Sequence, residues 1–438
     1  MLELFLSLGY IAVCLLLISR LKIFKHQSVS TKTFSVVFLL KLLAGFALFL
    51  IYTRFYPDRK FADIFRYYDD SKIMFDAFLD KPYDFFRMVT GFNQADKDLR
   101  PYYDTMLNWY NSEMIFNDSR TMIRLNALMR FFSLNTYYPH AIFMCFLSFV
   151  GLTALFQLFS AEIKNKTNEL ILGVYLLPSV MLWSSGVIKE AFLLFSIGML
   201  LYALKMISSA DGRTAKNIFA LLFFSFCVLN IKSYILFAML PGIVAYLWTL
   251  RSPSLSFLKF IVIHVFYLFT LFNLSHFFTH HPVPELLSNK QKEFYMVAQR
   301  EKAQSIISLP ELNAEWKSIA KAMPVAFANT LFRPHILEAK NSMILFAAFE
   351  NVLFILFILI AILGFDKNQL SNAPPLFFLA LFFTIIIFCL VGLVTPILGA
   401  IVRYKVPALP FFVLLLATVY NRQVLKRRLR ACLKLFKS

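Results

Sequence analysis

The chain has 438 residues, of which 59% are hydrophobic and only 16% charged, where soluble domains average about a quarter charged; it therefore reads as a polytopic membrane protein. Its net charge of +19 does not point to nucleic acid, because the basic residues lie mainly in short loops and in an acid-free tail from Arg422 to Ser438, as the positive-inside rule expects. Twelve glycines leave little room for nucleotide-cradling loops, and neither a GxGxxG nor a Walker lysine motif occurs.

A hydrocarbon core of about 30 Å takes roughly 20 apolar helical residues, and by that measure the chain predicts an all-α membrane domain over 1–438 with about eleven spans. They fall at 2 to 19, 33 to 53, 138 to 160, 169 to 186, 190 to 207, 217 to 231, 233 to 250, 254 to 278, 341 to 364, 373 to 396 and 398 to 420. The first lacks a basic leader and a small-residue cleavage site, so it is expected to be a retained span rather than a removed signal peptide. The sixth and seventh are barely long enough for two crossings around Lys232, which leaves two short spans and a buried re-entrant hairpin both open.

With the basic tail, 421–438, in the cytoplasm, the short basic loops Arg20 to Lys32, Ala161 to Glu169, Lys205 to Lys216 and Arg251 to Lys259 fall on that same side. The N-terminus is then expected outside, together with two long loops, 54–137 and 279–340. Interleaved aromatic and acidic residues such as Tyr83-Asp84-Phe85-Phe86 and Tyr102-Tyr103-Asp104 suit short amphipathic helices at the membrane surface. The five cysteines are scattered without CxxC or metal spacing, and read as small buried hydrophobes.

The first long loop opens on Asp63-Ile64-Phe65-Arg66-Tyr67-Tyr68-Asp69-Asp70. On a helix, Asp63, Arg66, Tyr67 and Asp70 share one face, while Ile64, Phe65 and Tyr68 can rest on the membrane or on neighbouring spans. A carboxylate beside a low-dielectric surface can serve as a general base, and an adjacent arginine can orient it or grip a phosphate. The same spacing equally suits a solvated interfacial helix with intrahelical ion pairs. Asp69 and Asp70 point apart on a helix; a magnesium or manganese ion held by one or two of these carboxylates and a substrate phosphate stays open.

Further along, Trp183-Ser184-Ser185-Gly186-Val187-Ile188-Lys189-Glu190 breaks one helix and starts the next, so Lys189 stands where an anion can be held, or simply snorkels from an ordinary turn. Lys232 and Tyr234, Arg333, and Arg403 with Tyr404 are expected on the same outer side. Cations at membrane level call for an acidic or phosphate partner. Glu350, near the middle of the ninth span, is either a functional carboxylate or half of a buried ion pair that locks helix packing. The histidines do not cluster, the adjacent His280 and His281 lie in a loop, and no HExxH or Ser-His-Asp arrangement is recognisable.

The acidic opening of the large loop, the Trp-Ser-Ser-Gly-x-x-Lys-Glu turn and the late Arg403-Tyr404-Lys405-Val406-Pro407-Ala408-Leu409-Pro410 run resemble polytopic GT-C-type glycosyltransferases, which use polyprenyl-phosphate-linked sugar donors. By that resemblance the Arg403 run helps to hold the lipid phosphate. One departure is that the acidic loop here follows a second span. A first span, a basic Arg20-Leu21-Lys22-Ile23-Phe24-Lys25 loop, a second span and then Asp-x-x-x-Tyr look more like the EpsG and Wzy polysaccharide polymerases, which join glycan repeats carried on undecaprenyl pyrophosphate.

The resemblance implies glycosyl transfer in cell-surface polysaccharide or glycoconjugate assembly at a bacterial inner membrane. Lys189, Lys232, Arg333 and Arg403 would meet the leaving anion, and Asp63, Asp69 or Asp70 would position or activate the acceptor hydroxyl. The competing expectations are a transporter or flippase for a lipid-linked glycan or an anion, with Glu350 and broken helices as working parts, and a non-catalytic membrane scaffold.

Overall fold

The computed structural model describes residues 1–55, 58–109, 117–208, 214–278 and 282–435. The histidine pair at 280 and 281 and the end of the basic tail lie outside them. Among the described residues eight helices are long and apolar enough to cross a membrane: Leu2–Arg20, Thr31–Arg54, Tyr137–Glu162, Lys189–Ser208, Thr214–Arg251, Ser342–Leu363, Pro375–Val394 and Leu398–Val419. The chain is an all-helical integral membrane protein. The eleven expected spans include these eight, with Thr214–Arg251 read as two. The other two fall on Ser256–Phe278, whose Ser256–Leu271 part is a shorter apolar helix, and on 169 to 186, which is broken.

That break has a local cause. Pro178 offers no backbone N–H and drives the residue before it out of the α region, so Leu177 is extended (φ −60, ψ 128) between a π-helical turn, Leu172–Leu176, and a short helix, Pro178–Trp183. Lys232 also interrupts Thr214–Arg251, with no proline beside it: its φ of −148 and ψ of 87 are non-helical, and two helical arms meet there.

The chain divides into two compact units, Met1–Leu158 with Met181–Leu236, and Phe159–Val180 with Phe237–Ser438. In the first, the backbones of Tyr137–Glu162 and Lys189–Ser208 touch at Gly151 and Gly198, where a Cβ on Gly198 would lie 2.0 Å from the Gly151 carbonyl oxygen. Only glycine lets helices approach so closely, and in lipid that packing carries much of the association.

The long loop of this unit is folded. Asp63–Asp80 starts with Asp63 in its first turn, where a negative charge complements the helix dipole, and ends before Pro82, which opens the helix Pro82–Thr90. Gly91, at φ 81, closes that second helix in the left-handed conformation. Asn117 caps Asp118–Ser133 by accepting the Arg120 amide at 3.1 Å. Arg130, 2% exposed, ties the Asp118–Ser133 and Asp63–Asp80 helices together: it donates to Ser71 Oγ at 2.8 Å and to the Tyr68 carbonyl, and lies over the Tyr68 ring. Phe65 and Tyr68 then pack against Tyr137 at 5.2 and 5.4 Å, tilted and edge-on respectively, and Phe65 meets Phe49 at 5.6 Å. Such aromatic pairs add about 0.5–1.5 kcal/mol each beyond their buried area, enough to seat the acidic helix on the ends of two spans.

In the second unit Trp316–Phe332 lies against Pro375–Val394 so closely that a Cβ on Gly392 would sit 1.9 Å from the Ala326 carbonyl oxygen. Thr330 Oγ1 donates across this contact to the Phe388 carbonyl at 2.7 Å. The helix Val283–Arg300 is fixed by Gln291, whose Nε2 donates to the Leu393 carbonyl at 2.7 Å while its Oε1 accepts from the Leu312 amide at 3.1 Å. The last span is interrupted: Leu398–Tyr404, a 3-10 turn at Val406–Ala408 holding Pro407, then Leu409–Val419 opened by Pro410, followed by the basic helix Arg422–Leu435.

Candidate functional site

The first unit gathers its polar groups at the start of Lys189–Ser208. Ser185 and Gly186 end the preceding turn, with Gly186 at φ 107, a conformation that side-chain-bearing residues rarely adopt. Lys189 and Glu190 then occupy the first helical turn, where unpaired backbone N–H groups favour anions.

Lys189 connects three elements. Its Nζ is 2.6 Å from Asp118 Oδ2 and 3.5 Å from Ser119 Oγ, both at the start of the Asp118–Ser133 helix, and it sits 5.4 Å from the centre of the Tyr67 ring on the acidic helix. Lys189 is 16% exposed and Asp118 40%, so this pair borders solvent. Glu190 points the other way, into the unit. Its carboxylate, 1% exposed, meets Lys232 Nζ at 2.9 Å. The backbone break that places Lys232 also alters the hydrogen bonding around it, and Thr121 Oγ1 approaches the Asn230 carbonyl at 3.5 Å. Tyr234 lies two residues further on, half-buried.

The acidic stretch divides its labour. Asp63 and Arg66 approach to 3.9 Å with side chains 29% and 24% exposed, one helical turn before Tyr67 and the Lys189 contact. Asp69 is engaged outward by Arg59, which donates to both its oxygens at 2.7 and 2.8 Å and lies over the Phe65 ring. That charge-assisted pair raises the Arg59 pKa further. Asp70 is buried and accepts the backbone amides of Leu107 at 2.9 Å and Asn108 at 2.7 Å, anchoring the chain between Tyr103 and Trp109, whose rings stack. Burial pushes the Asp70 carboxyl up, and the two amides offset this only in part. Asp69 and Asp70 thus point to separate partners, and among the described residues no three His, Cys, Asp or Glu side chains gather as a metal site.

Near this site lies a lysine that sequence reasoning passed over. Lys41, 1% exposed within Thr31–Phe55, donates to Ser184 Oγ, and Ser148 Oγ donates to the Ser184 carbonyl at 2.7 Å. Asp118 was passed over too. Its neighbours Asn117 and Ser119 mark it as the start of a helix, and only the fold brings it to Lys189.

The second unit holds Arg333, Glu350, Arg403 and Tyr404. Glu350, 1% exposed, accepts the Ser179 amide at 2.7 Å and the Ser179 hydroxyl, so the break at Pro178 exposes the amide that holds it. Lys405, fully buried, supplies a compensating charge while donating to Asn351 Oδ1 at 2.8 Å and to the Thr330 carbonyl at 3.1 Å. Asn351 Nδ2 in turn donates to the Pro334 carbonyl at 2.8 Å. A lysine in an apolar span was the available sequence signal for Lys405.

Arg403, half-buried, ends the Leu398–Tyr404 helix, and the Tyr404 ring approaches Phe294 at 6.0 Å. Arg333 is committed to Glu338: its Nε donates to Oε1 at 2.7 Å, and the His335 amide reaches Oε2 at 3.1 Å. Partial burial is the largest influence and works to raise the Glu338 carboxyl, but the hydrogen bonds from Arg333 and the His335 amide, with the nearby Arg333 charge, together outweigh it and hold that group below its usual range.

Fold and site together define a polytopic, all-helical integral membrane protein whose polar groups concentrate at helix breaks. Comparison with family models, curated proteins and solved structures gives no match.

Proposed function

We propose that this protein is a membrane glycosyltransferase that takes a sugar or glycan from a polyprenyl-(pyro)phosphate donor in cell-surface polysaccharide or glycoconjugate assembly. It would work on the outward face of a bacterial inner membrane, with a GT-C-like arrangement of spans and two outer loops. The observation that carries the proposal is the start of the Lys189–Ser208 helix, where Lys189 faces the acidic helix through Tyr67 and the adjacent Glu190 fixes Lys232.

In the reaction the bond between the sugar C1 and the phosphate oxygen breaks, and a bond from C1 to the acceptor oxygen forms. The released anion keeps the electron pair, and the acceptor proton passes to a base. Lys189 has three donors, so it can turn from Asp118 toward a phosphate, and the helix N-terminus adds a favourable field. Lys232 is held at the helix break by a charge that cannot move into solvent. Asp63, partly exposed and beside Arg66, is the carboxylate suited to accept the hydroxyl proton, while Asp70 is occupied by backbone amides. Arg403 and Tyr404 take their lipid-phosphate role from the resemblance.

Asp63→Asn, Lys189→Ala and Arg403→Ala variants are expected to insert normally and lose glycan product, with donor lipid accumulating and detectable by mass spectrometry of membrane extracts. Normal glycan length and yield in all three would overturn the proposal.

Movement of a lipid-linked glycan or anion is the competing reading, favoured by the buried Glu350 and Lys405 beside broken helices. In that case Glu350→Gln would block movement across the bilayer, while sugar transfer by solubilised protein would be absent even in the wild type.

A further inference from the structure

The second unit has an apolar groove of about 220 Å³ between the Ser342–Leu363 helix, the Leu409–Val419 helix and the broken segment at 167–176. Leu172, Phe357, Ile360, Val413, Leu416 and Tyr420 line it, with Glu169 at its edge. It is smaller than the roughly 300–1,000 Å³ of pockets that enclose whole ligands, so it fits a length of hydrocarbon chain rather than a complete headgroup-bearing molecule.

The polar end of this groove runs into the basic helix. Two residues after Tyr420, Arg422 grips Glu169 through Nε at 3.0 Å and through Nη2 at 2.8 Å. Lys166 donates to the Tyr420 carbonyl and lies 4.1 Å from the centre of its ring. Arg428 donates to the carbonyls of Ile362 and Leu363, at 3.2 and 3.1 Å, at the end of the helix that supplies Phe357 and Ile360. One face of Arg422–Leu435 is therefore docked.

Its other face presents Lys426, Arg427 and Arg430, all exposed and with no carboxylate on the same helix. Positions 426 and 430, and 427 and 430, are neighbours on a helix, so the three cations form one patch. Arg427 lies within the field of the Asp366 carboxylate, whereas Lys426 and Arg430 form no ion pair among the described residues. A hydrophobic slot whose lining ends at Tyr420, two residues before a helix rich in cations, matches a ligand with an apolar tail and an anionic head.

We infer that this groove and the basic helix form a binding site for an anionic glycerophospholipid of the surrounding bilayer. One acyl chain lies in the groove and the phosphate rests on Lys426, Arg427 and Arg430. The inference is independent of glycosyl transfer, since it uses none of the residues assigned to that reaction. A basic side chain near an anionic membrane surface contributes about fivefold to binding, so the three cations together favour an anionic lipid by at least about tenfold over a zwitterionic one.

The test uses the full chain, purified in zwitterionic detergent and offered equal amounts of phosphatidylglycerol, phosphatidylcholine and undecaprenyl phosphate, with bound lipid read by native mass spectrometry. The expected result is retention of phosphatidylglycerol by at least about tenfold over phosphatidylcholine, and loss of that preference in the triple variant K426Q/R427Q/R430Q. Ala361→Leu and Ala417→Leu, which fill the groove from opposite helices, are each expected to lower phosphatidylglycerol retention with the cations intact. Melting temperatures identify any variant that fails to fold, and the two groove variants check each other. Equal retention of phosphatidylglycerol and phosphatidylcholine overturns the inference, as does preference surviving the triple variant. Unchanged retention in a folded groove variant, or displacement by undecaprenyl phosphate, overturns it as well.

Discussion

The pair formed by Glu190 and Lys232 gives the sharpest quantitative expectation. Both side chains are nearly inaccessible, at 1% and 8% exposure, and 2.9 Å apart. Removing one member of such a pair leaves the other charge desolvated, at a cost of about 3–5 kcal/mol, while replacing both with neutral groups of similar shape costs far less. Lys232→Met and Glu190→Gln are therefore each expected to be strongly destabilising. The double variant should be more stable than the sum of the singles implies, with a coupling energy of about 2–3 kcal/mol. The assay is reversible unfolding of the purified protein in mixed micelles, run as a double-mutant cycle.

Asp118 and Lys189 supply the control, because at 40% and 16% exposure their pair borders water and should couple by no more than about 1 kcal/mol. If Glu190 and Lys232 couple by less than about 0.5 kcal/mol, or by less than Asp118 and Lys189, the buried pair does not hold the helix break. The double variant is also expected to insert and fold but to yield no glycan product, since the cation at the break is gone.

Three further outcomes follow from particular contacts. Gly198→Leu should disrupt the packing of Tyr137–Glu162 on Lys189–Ser208, seen as loss of folded protein on size-exclusion chromatography, whereas Gly9→Leu, with open space around its position, should be tolerated. Asp70→Asn should cost about 1–3 kcal/mol and speed hydrogen exchange at Leu107 and Asn108, while Asp63→Asn should leave exchange there unchanged and affect product alone. Because Glu338 titrates below its ordinary value of 4.5, its contacts contribute fully above that pH and are lost as pH falls through the lower folded-state value. Protection of the amides around His335, taken relative to intrinsic exchange at each pH, should accordingly fall on acidification, and Glu338→Gln should lower it already at neutral pH.

The apolar runs bounded by polar residues were the legible part of the chain. Expected limits of 2 to 19, 138 to 160, 190 to 207 and 341 to 364 lie within two residues of Leu2–Arg20, Tyr137–Glu162, Lys189–Ser208 and Ser342–Leu363. Hydrophobic length sets those boundaries by itself. The breaks themselves left local signals, Pro178 and a lysine inside an apolar run, but the partners that occupy them lie far away in the chain. Leu177 stays extended beside an amide that Glu350 accepts, and Lys232 leaves the helical region where Glu190 can receive its charge.

The same holds for the candidate site. The helical spacing of Asp63, Arg66, Tyr67 and Asp70 was visible in the sequence, and so was the apolar side formed by Ile64, Phe65 and Tyr68, all three of which are buried. What spacing could not reveal is that Asp70 would be taken up by the amides of Leu107 and Asn108, and Asp69 by Arg59. Nor could it reveal Asp118 as the partner of Lys189. Those assignments come from contacts between segments far apart in the chain.

Glycosyl transfer by the purified full-length protein is the most direct test of the central claim. The protein would be reconstituted in bilayers with a polyprenyl-pyrophosphate-linked glycan and a matching acceptor, and product read by mass spectrometry. The account predicts a new glycosidic product and released polyprenyl pyrophosphate from the wild type, with neither formed by Asp63→Asn or Lys189→Ala protein that is folded. Donor left unconsumed by the wild type, or equal product from the wild type and both variants, would contradict it.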